Sequence, residues 1–265
     1  MATLAGHESL IHKFGRVVAG TVLRDVFGRA TTPDGHRFAL APKMNVRDCY
    51  DLWAGRYEAP EIKMMREYFH PDSSILELGS NIGVVTSYAF LEKLLDGGVL
   101  SGFEPNPESF PTLRANMNNI RNRRPSCTFN LFAVAVAPPA VARHGWASFD
   151  VRRNLSSALK GVVSPELKSR EERVKVISLK KVVERLAPDG ASLVMDIEGS
   201  EYDLFRQDPE SLAKIRQMAI EIHGPELTKR PDQKPEELAA FIRTLGFRER
   251  ARAGNTWVFA RPGAF

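Results

Sequence analysis

The chain of 265 residues predicts an α/β fold: a mainly parallel sheet covered on both faces by helices and closed by an antiparallel hairpin near its end. Three observations carry this. From Ile75 onward, strand-like runs alternate with helix-like runs, which is the pattern of βαβ units. The runs LVMDI and MAIEI are apolar enough for central strands buried on both faces. FRERAR and TWVFAR are separated only by AGN, which is hairpin spacing, whereas a parallel crossover needs about a dozen residues.

The elements follow in chain order. HESLIHKFGRVVAGTVLRDVF is apolar at helical spacing and carries Lys13, Arg16 and Arg24. It reads as a helix packed on its own domain or on a second subunit, which leaves a homo-oligomer open; a membrane-surface helix is the alternative. Pro33-Asp34-Gly35 lies between two short apolar runs and predicts a hairpin. Val46–Leu52 and Pro60–Tyr68 read as helices, the second with Pro60 near its first position and Pro71 beyond its end. ILEL then leads to a helix over Val84–Leu95, and VLSGFE to a helix over Glu108–Asn119. CTFNLFAVAVA is the next strand region, followed by an extra strand at WASFDV. VKVISL leads into KKVVERL, SLVMDI into EYDLF, and QMAIEI into a loop before a helix over Pro235–Leu245. Residues 1–70 form a helix-and-hairpin extension, expected to be a substrate lid or dimer contact, and residues 71–265 form the main domain.

Composition narrows the function. Apolar residues make up 43% and charged residues 26%, and the formal net charge is +5. This mild excess lacks the clustered basic face of a nucleic-acid binder; Arg121-Asn-Arg-Arg124 reads as a solvated helix end. Cys49 and Cys127 lie far apart with no metal or disulfide spacing, which fits a reducing cytoplasm. No apolar run reaches the roughly 18 to 20 residues of a membrane span, and no signal-peptide pattern opens the chain.

The informative stretch is Ile75-Leu-Glu-Leu-Gly-Ser-Asn-Ile-Gly83. Gly79 falls at the end of the first core strand and Gly83 at the start of the next helix, where ligands of open α/β sheets bind. The dinucleotide fingerprint is G-x-G-x-x-G. Here Asn81 replaces the middle glycine and Glu77 would repel phosphates. Both suit a ligand with a cationic amino acid end, and S-adenosylmethionine carries a sulfonium and an ammonium. Glu77 could neutralise the ammonium, while Ser80 and Asn81 hydrogen-bond its carboxylate and ribose. Glu104, ending VLSGFE, is placed to accept the ribose hydroxyls, with Pro105 and Asn106 following. Ala133-Val134, at the third strand end, are suited to pack on adenine. One pocket with acid at both extremities is therefore expected.

Together ILELGSNIG, GFEPNPESFPTLRANM, FAVAVA, NLSSAL, MDIEGSEYDLF and AIEIHG resemble the FkbM-type S-adenosylmethionine-dependent methyltransferases, over roughly Tyr57–Phe247. The resemblance implies the class I methyltransferase (Rossmann-like) fold with a seven-stranded sheet. It implies that Glu77, Gly79, Asn81 and Gly83 hold the methionine portion and Glu104 the ribose. Glu77 stands where aspartate is more usual, and Ser80 where alanine is common.

Candidates for chemistry come from the fourth and fifth core strands. Asp196 and Glu198 would share a strand face if the strand continued, and so would Glu221 and His223. His223 is the candidate base, by the ordinary pKa of histidine; Asp196 faces the cofactor methyl region or the acceptor, and Glu201 reads as a helix cap. Asp196, Glu198 and Glu221 could instead hold Mg²⁺, while no His/Cys cluster supports zinc. The basic insert around Arg143–Arg173, with Arg152 and Arg153, would favour an acidic or phosphorylated acceptor, and the resemblance places Asn154–Ser157 near substrate. The resemblance implies O-methylation, with the acceptor a hydroxyl on a sugar, a glycan precursor or a secondary metabolite. The rivals are a nicotinamide-dependent oxidoreductase and a non-catalytic cofactor binder.

Overall fold

The computed structural model describes residues 10–152, 157–160 and 169–264. The Asn154-Leu-Ser-Ser157 motif therefore lies outside the described residues except for Ser157, as does Arg153. Contacts divide the chain into two units, Met1–Tyr57 and Glu58–Phe265.

The first unit contains helix α1 (Leu10–Thr21), strands β1 (Arg29–Thr31) and β2 (Arg37–Ala39), and helix α2 (Val46–Trp53). The Pro33-Asp34-Gly35 turn joins an antiparallel β1–β2 pair. Thr32 fixes this turn: its hydroxyl donates to Asp34 Oδ1 at 2.6 Å and accepts from the His36 amide at 3.0 Å. Asn45 caps α2 by accepting from the Arg47 amide. Gly20 admits close approach of the two helices, since a Cβ there would lie 1.8 Å from the Val46 carbonyl oxygen. Arg16 clamps Asp51 at 3.0 and 2.7 Å, which ties α1 to α2.

The second unit runs α3 (Ala59–Tyr68), β3 (Asp72–Leu78), α4 (Val84–Tyr88), β4 (Leu94–Phe103), α5 (Phe110–Ile120), β5 (Thr128–Phe132), β6 (Ala135–Ala137), α6 (Pro139–Ala142), β7 (Trp146–Arg152), β8 (Ala158–Leu159), β9 (Ser169–Ser178), α7 (Leu179–Leu186), β10 (Ala191–Met195), α8 (Glu201–Gln207), β11 (Ile215–Glu221), α9 (Pro225–Thr228), α10 (Pro235–Thr244), β12 (Arg248–Ala253) and β13 (Thr256–Ala260). Its seven-stranded sheet has the order β12-β13-β11-β10-β3-β4-β5. The last five of these are parallel to one another, and β13 is antiparallel to both β11 and β12. The α/β class, the parallel core and the closing hairpin are those the sequence predicts.

This order places a switch point between β3 and β10. The chain winds outward through β4 and β5, returns to β10, and winds the other way through β11. Loops diverge there, so a crevice opens at the carboxyl ends of the strands. Every residue of β10 is buried, as a strand covered on both faces requires. At the opposite end of the sheet, buried Asp72 joins three strands. It accepts from Arg216 Nε at 2.9 Å and Nη2 at 2.5 Å, and from the Ser192 hydroxyl at 2.6 Å.

The run CTFNLFAVAVA divides in two. The central-sheet strand ends at Phe132, the chain bends through Ala133-Val134, and β6 pairs with β9 in a separate four-stranded sheet of order β6-β9-β7-β8. The extra strand expected at WASFDV is β7 of this second sheet.

Candidate active site

The glycine turn is held by backbone bonds from both neighbouring strands. The Gly79 and Ser80 amides donate to the Phe103 carbonyl at 2.9 and 3.1 Å, and the Asp196 amide donates to the Leu78 carbonyl at 2.9 Å. Gly79 has φ +86°, and a Cβ there would sit 1.7 Å from the Asp196 carbonyl oxygen. Only glycine fits on both counts. Gly83 also has positive φ, but a Cβ there would meet Leu113 Cδ1 at 2.8 Å, and it lines neither cleft described below. Its role here is helix packing.

Two clefts meet at Leu78, Gly79 and Asp196. The first, about 570 Å³ and open to solvent, is lined by Asn81, Glu104, Pro105, Ser157, Ile197, Glu198 and, from the second sheet, Ala135, Val136, Phe149 and Leu159. The second, about 500 Å³, is lined by Glu77, Ser80, Val85 and Glu221 together with Glu58, Glu61 and Thr256. Glu77 and Glu104 thus do not share one pocket; each opens into one of two adjoining clefts, because Gly79 and Asp196 form a waist between them.

Glu104 organises the first cleft. Its Oε2 accepts from the Asn81 amide and its Oε1 from the Asn106 amide, both at 2.7 Å. Asn81 adopts the left-handed conformation, φ +46°, which asparagine tolerates. Asn106 does not line the cleft: its side chain accepts from the Glu108 amide and donates to Ser157 Oγ, bracing the loop. Burial raises the Glu104 carboxyl to about 7, against the pull of the two amides. Glu77, buried and accepting from Ser80 Oγ at 3.0 Å, is raised to about 7 by the same loss of water.

Several expected placements need correcting. Ala133 and Val134 do not line the first cleft; Ala135 and Val136 do. The bend after Phe132 moves the wall two residues on, preserving strand parity, while Ala133 is exposed and Val134 packs on the main core. Strand β10 ends at Met195, so Asp196 and Glu198 do not share a strand face. Glu198 instead enters a turn with φ +53°. Arg152 is buried and lines neither cleft, and its Nε and Nη1 lack hydrogen-bond partners among the described residues.

Beyond the waist, four carboxylates surround His223, which is 7% exposed. Its Nδ1 bonds Glu201 Oε1 at 3.0 Å. Its Nε2 lies 3.8 Å from Asp196 Oδ1, 3.8 Å from Glu198 Oε2 and 3.6 Å from Glu221 Oε1. Burial pulls the ring pKa down, but the Glu201 bond and the charges of Glu201, Asp196 and Glu198 outweigh it and lift the ring to about 11. The imidazole of this arrangement does not have the near-neutral pKa the sequence alone assigns to it. Glu201 both accepts from the Gly199 amide at 3.0 Å and orients the ring, so it is more than a helix cap. Burial, then Glu198 and Glu221, raise Asp196 well above the usual range, and burial raises Glu221 to about 7.

Sequence reasoning missed Glu58 and Glu61. Glu58 opens α3 with φ +52°, and burial, then Glu61 and Glu77, raise its carboxyl well above the usual range. Glu61 accepts from Thr256 Oγ1 at 2.7 Å. Its available signal was an acidic pair flanking Pro60, nineteen positions before Glu77 in the numbering and therefore without local periodicity.

The family model of the methyltransferase FkbM domain matches residues 77–249, more than half of the chain. Among solved structures, the chain is similar to methyltransferase FkbM from Methylobacillus flagellatus KT, with 12% identity, a TM-score of 0.46 and coverage of 83% of this chain. The chain spans 56% of that protein. It is also similar to a methyltransferase from Geobacter sulfurreducens, with 12% identity, a TM-score of 0.42 and 77% of each chain covered. A third is the precorrin-6y C5,15-methyltransferase from Geobacter metallireducens, with 12% identity and a TM-score of 0.38 over 77% of this chain and 86% of that one. No curated protein matches. No helix among the described residues is long and apolar enough to cross a membrane. By its matched domain, the chain belongs to the FkbM methyltransferase family.

Proposed function

We propose that this FkbM-family methyltransferase uses S-adenosylmethionine to methylate a hydroxyl oxygen of a sugar, glycan precursor or secondary metabolite. The observation that carries the cofactor reading is the pair of acid-bearing clefts joined at a side-chain-free waist, Gly79. The ribose hydroxyls would donate to Glu104, with adenine against Val136, Phe149 and Leu159. The ammonium group would meet Glu77 and Glu58 across the waist. A cofactor lying this way brings its sulfonium beside Gly79 and Asp196.

Methyl transfer is an in-line displacement. The acceptor oxygen bonds to the methyl carbon, the carbon–sulfur pair stays on sulfur as a neutral thioether, and the hydroxyl proton leaves to a carboxylate of the cluster around His223 or to water, the ring itself being already protonated. Positive charge on sulfur vanishes in the transition state, so acids touching it would favour the ground state. Placing Glu77, Glu58 and Glu104 at the cofactor's ends avoids this, and the carboxyl of Asp196, nearest the sulfur, is held toward its neutral form by burial and by Glu198 and Glu221. The residues' main contribution is then alignment of oxygen, carbon and sulfur.

Calorimetry with S-adenosylmethionine, S-adenosylhomocysteine and NAD tests the cofactor. Binding of the first two and not the third is expected; NAD binding alone would sink the reading. Isotope transfer from methyl-labelled cofactor to a panel of hydroxyl compounds tests the reaction, and label appearing only on nitrogen would exclude O-methylation.

A further inference from the structure

The cluster around His223 has the construction of a metal site. His223 Nδ1 is fixed by Glu201, whose carboxylate only accepts, so that nitrogen carries a proton. The other nitrogen, Nε2, then faces Asp196, Glu198 and Glu221 at 3.6–3.8 Å, beyond hydrogen-bond range of each. Asp196 Oδ1, one of those three oxygens, is buried without a hydrogen-bond partner among the described residues. His223 Nε2 and the buried Asp196 Oδ1 therefore face each other at 3.8 Å, and a bound cation would take the place of the second ring proton. The ligand atoms of Asp196, Glu221 and His223 all lie within 4.8 Å of one another. Two ligands about 2.1 Å from a common ion at the tetrahedral angle of about 109° stand about 3.4 Å from each other, a few tenths of an ångström inside the separations found. A carboxylate holding the far nitrogen of a histidine is also the usual support of a metal-binding ring.

We propose that Asp196, Glu221 and His223 bind a divalent cation, with Glu198 beside it and Glu201 orienting the ring. One imidazole with carboxylates suits Mn²⁺ or Zn²⁺ better than the all-oxygen preference of Ca²⁺. The cleft side of the ion would take an acceptor oxygen. The ion would stabilise the alkoxide left when the hydroxyl proton departs to water. That role rests on the proposed O-methylation, whereas the binding itself does not.

The test uses the full chain, stripped with chelator and titrated with Mn²⁺ alone while free Mn²⁺ is followed by electron paramagnetic resonance. One Mn²⁺ per chain is expected. His223→Gln and Glu221→Gln should each weaken binding at least about tenfold, and Glu201→Gln about 10- to 100-fold although it removes no ligand. Lys160→Ala, just beyond β8 and paired with Glu171, should leave it unchanged. Where a variant fails to fold, pulsed resonance of the wild-type complex still decides: nitrogen coupling from one bound imidazole supports the site, and its absence overturns it. No Mn²⁺ binding by the wild type, or equal binding by the folded variants, also overturns it. S-adenosylmethionine binding measured in parallel separates the two readings. Cofactor binding without Mn²⁺ binding defeats the metal site alone, and Mn²⁺ binding without cofactor binding defeats the methyl-transfer reading alone.

Discussion

Gly79 and Asp196 meet backbone to backbone where β3 and β10 diverge, so closely that a Cβ at position 79 would lie 1.7 Å from the Asp196 carbonyl oxygen. Both clefts end on this contact. It joins the cleft of Glu104 to the cleft of Glu77 and Glu221.

Gly79→Ala should therefore damage folding and binding together. Positive φ alone costs a non-glycine residue about 1–3 kcal/mol, and the backbone clash adds to it. Denaturant unfolding should show at least that loss, and calorimetry no measurable S-adenosylmethionine binding. Wild-type affinity in the alanine variant would show that the waist is not part of the cofactor path.

Glu104→Gln should weaken S-adenosylmethionine binding about 10- to 100-fold, equivalent to about 1.4–2.8 kcal/mol. The carboxylate receives one backbone amide on each oxygen, and the glutamine amide can replace only one acceptor, leaving a donor facing a donor. The loss should be larger for adenosine-containing ligands than for methionine, measured side by side.

Cofactor affinity should fall as pH drops below about 7. Burial raises Glu77 and Glu104 to about 7 in the free protein. A ligand offering an ammonium and hydroxyl donors favours their ionised forms, so binding below that pH must first expel protons. Each such group contributes up to a tenfold loss per pH unit. Titrations at pH 6 in buffers of different ionisation enthalpy should show net proton release, and at pH 9 none from these groups. The same raised values mean the unfolded chain holds fewer protons between about 4.5 and 7, so these two sites favour folding more as pH falls through that window.

The wall assignment separates two small substitutions. Ala135→Leu, inside the first cleft, should weaken cofactor binding at least about tenfold by filling space. Ala133→Leu, exposed at the bend, should leave it within about twofold. Equal effects in calorimetry would return the adenine wall to the central strand end.

Arg216→Ala should destabilise the second unit by about 2–3 kcal/mol, less than the largest buried-pair losses because the arginine is partly exposed. Asp72 is 4% exposed and loses two of its hydrogen bonds. The double variant Asp72→Asn, Arg216→Met should recover part of this, because no unpaired carboxylate remains buried. Urea midpoints of the single and double variants measure both.

Much of the fold was legible in the residues. The alternation from Ile75 and the AGN hairpin describe local periodicity and chain reach, which short segments carry by themselves. The placement of Gly79, Glu77 and Glu104 at strand ends followed from the same periodicity. The division of CTFNLFAVAVA between two sheets was not legible, since strand propensity is continuous across Ala133-Val134 and only the competing partner, β9, decides where each half pairs.

By itself, then, the sequence determined the α/β alternation, the closing hairpin and the acids at the strand ends, because each depends on residues close together in the chain. The tertiary structure alone decided that Glu58 joins Glu77, that Ala135 replaces Ala133 as the wall, and that His223 stands among four carboxylates. Those are meetings of distant segments, and the charge of a buried imidazole depends on what surrounds it in space and not on its neighbours in sequence.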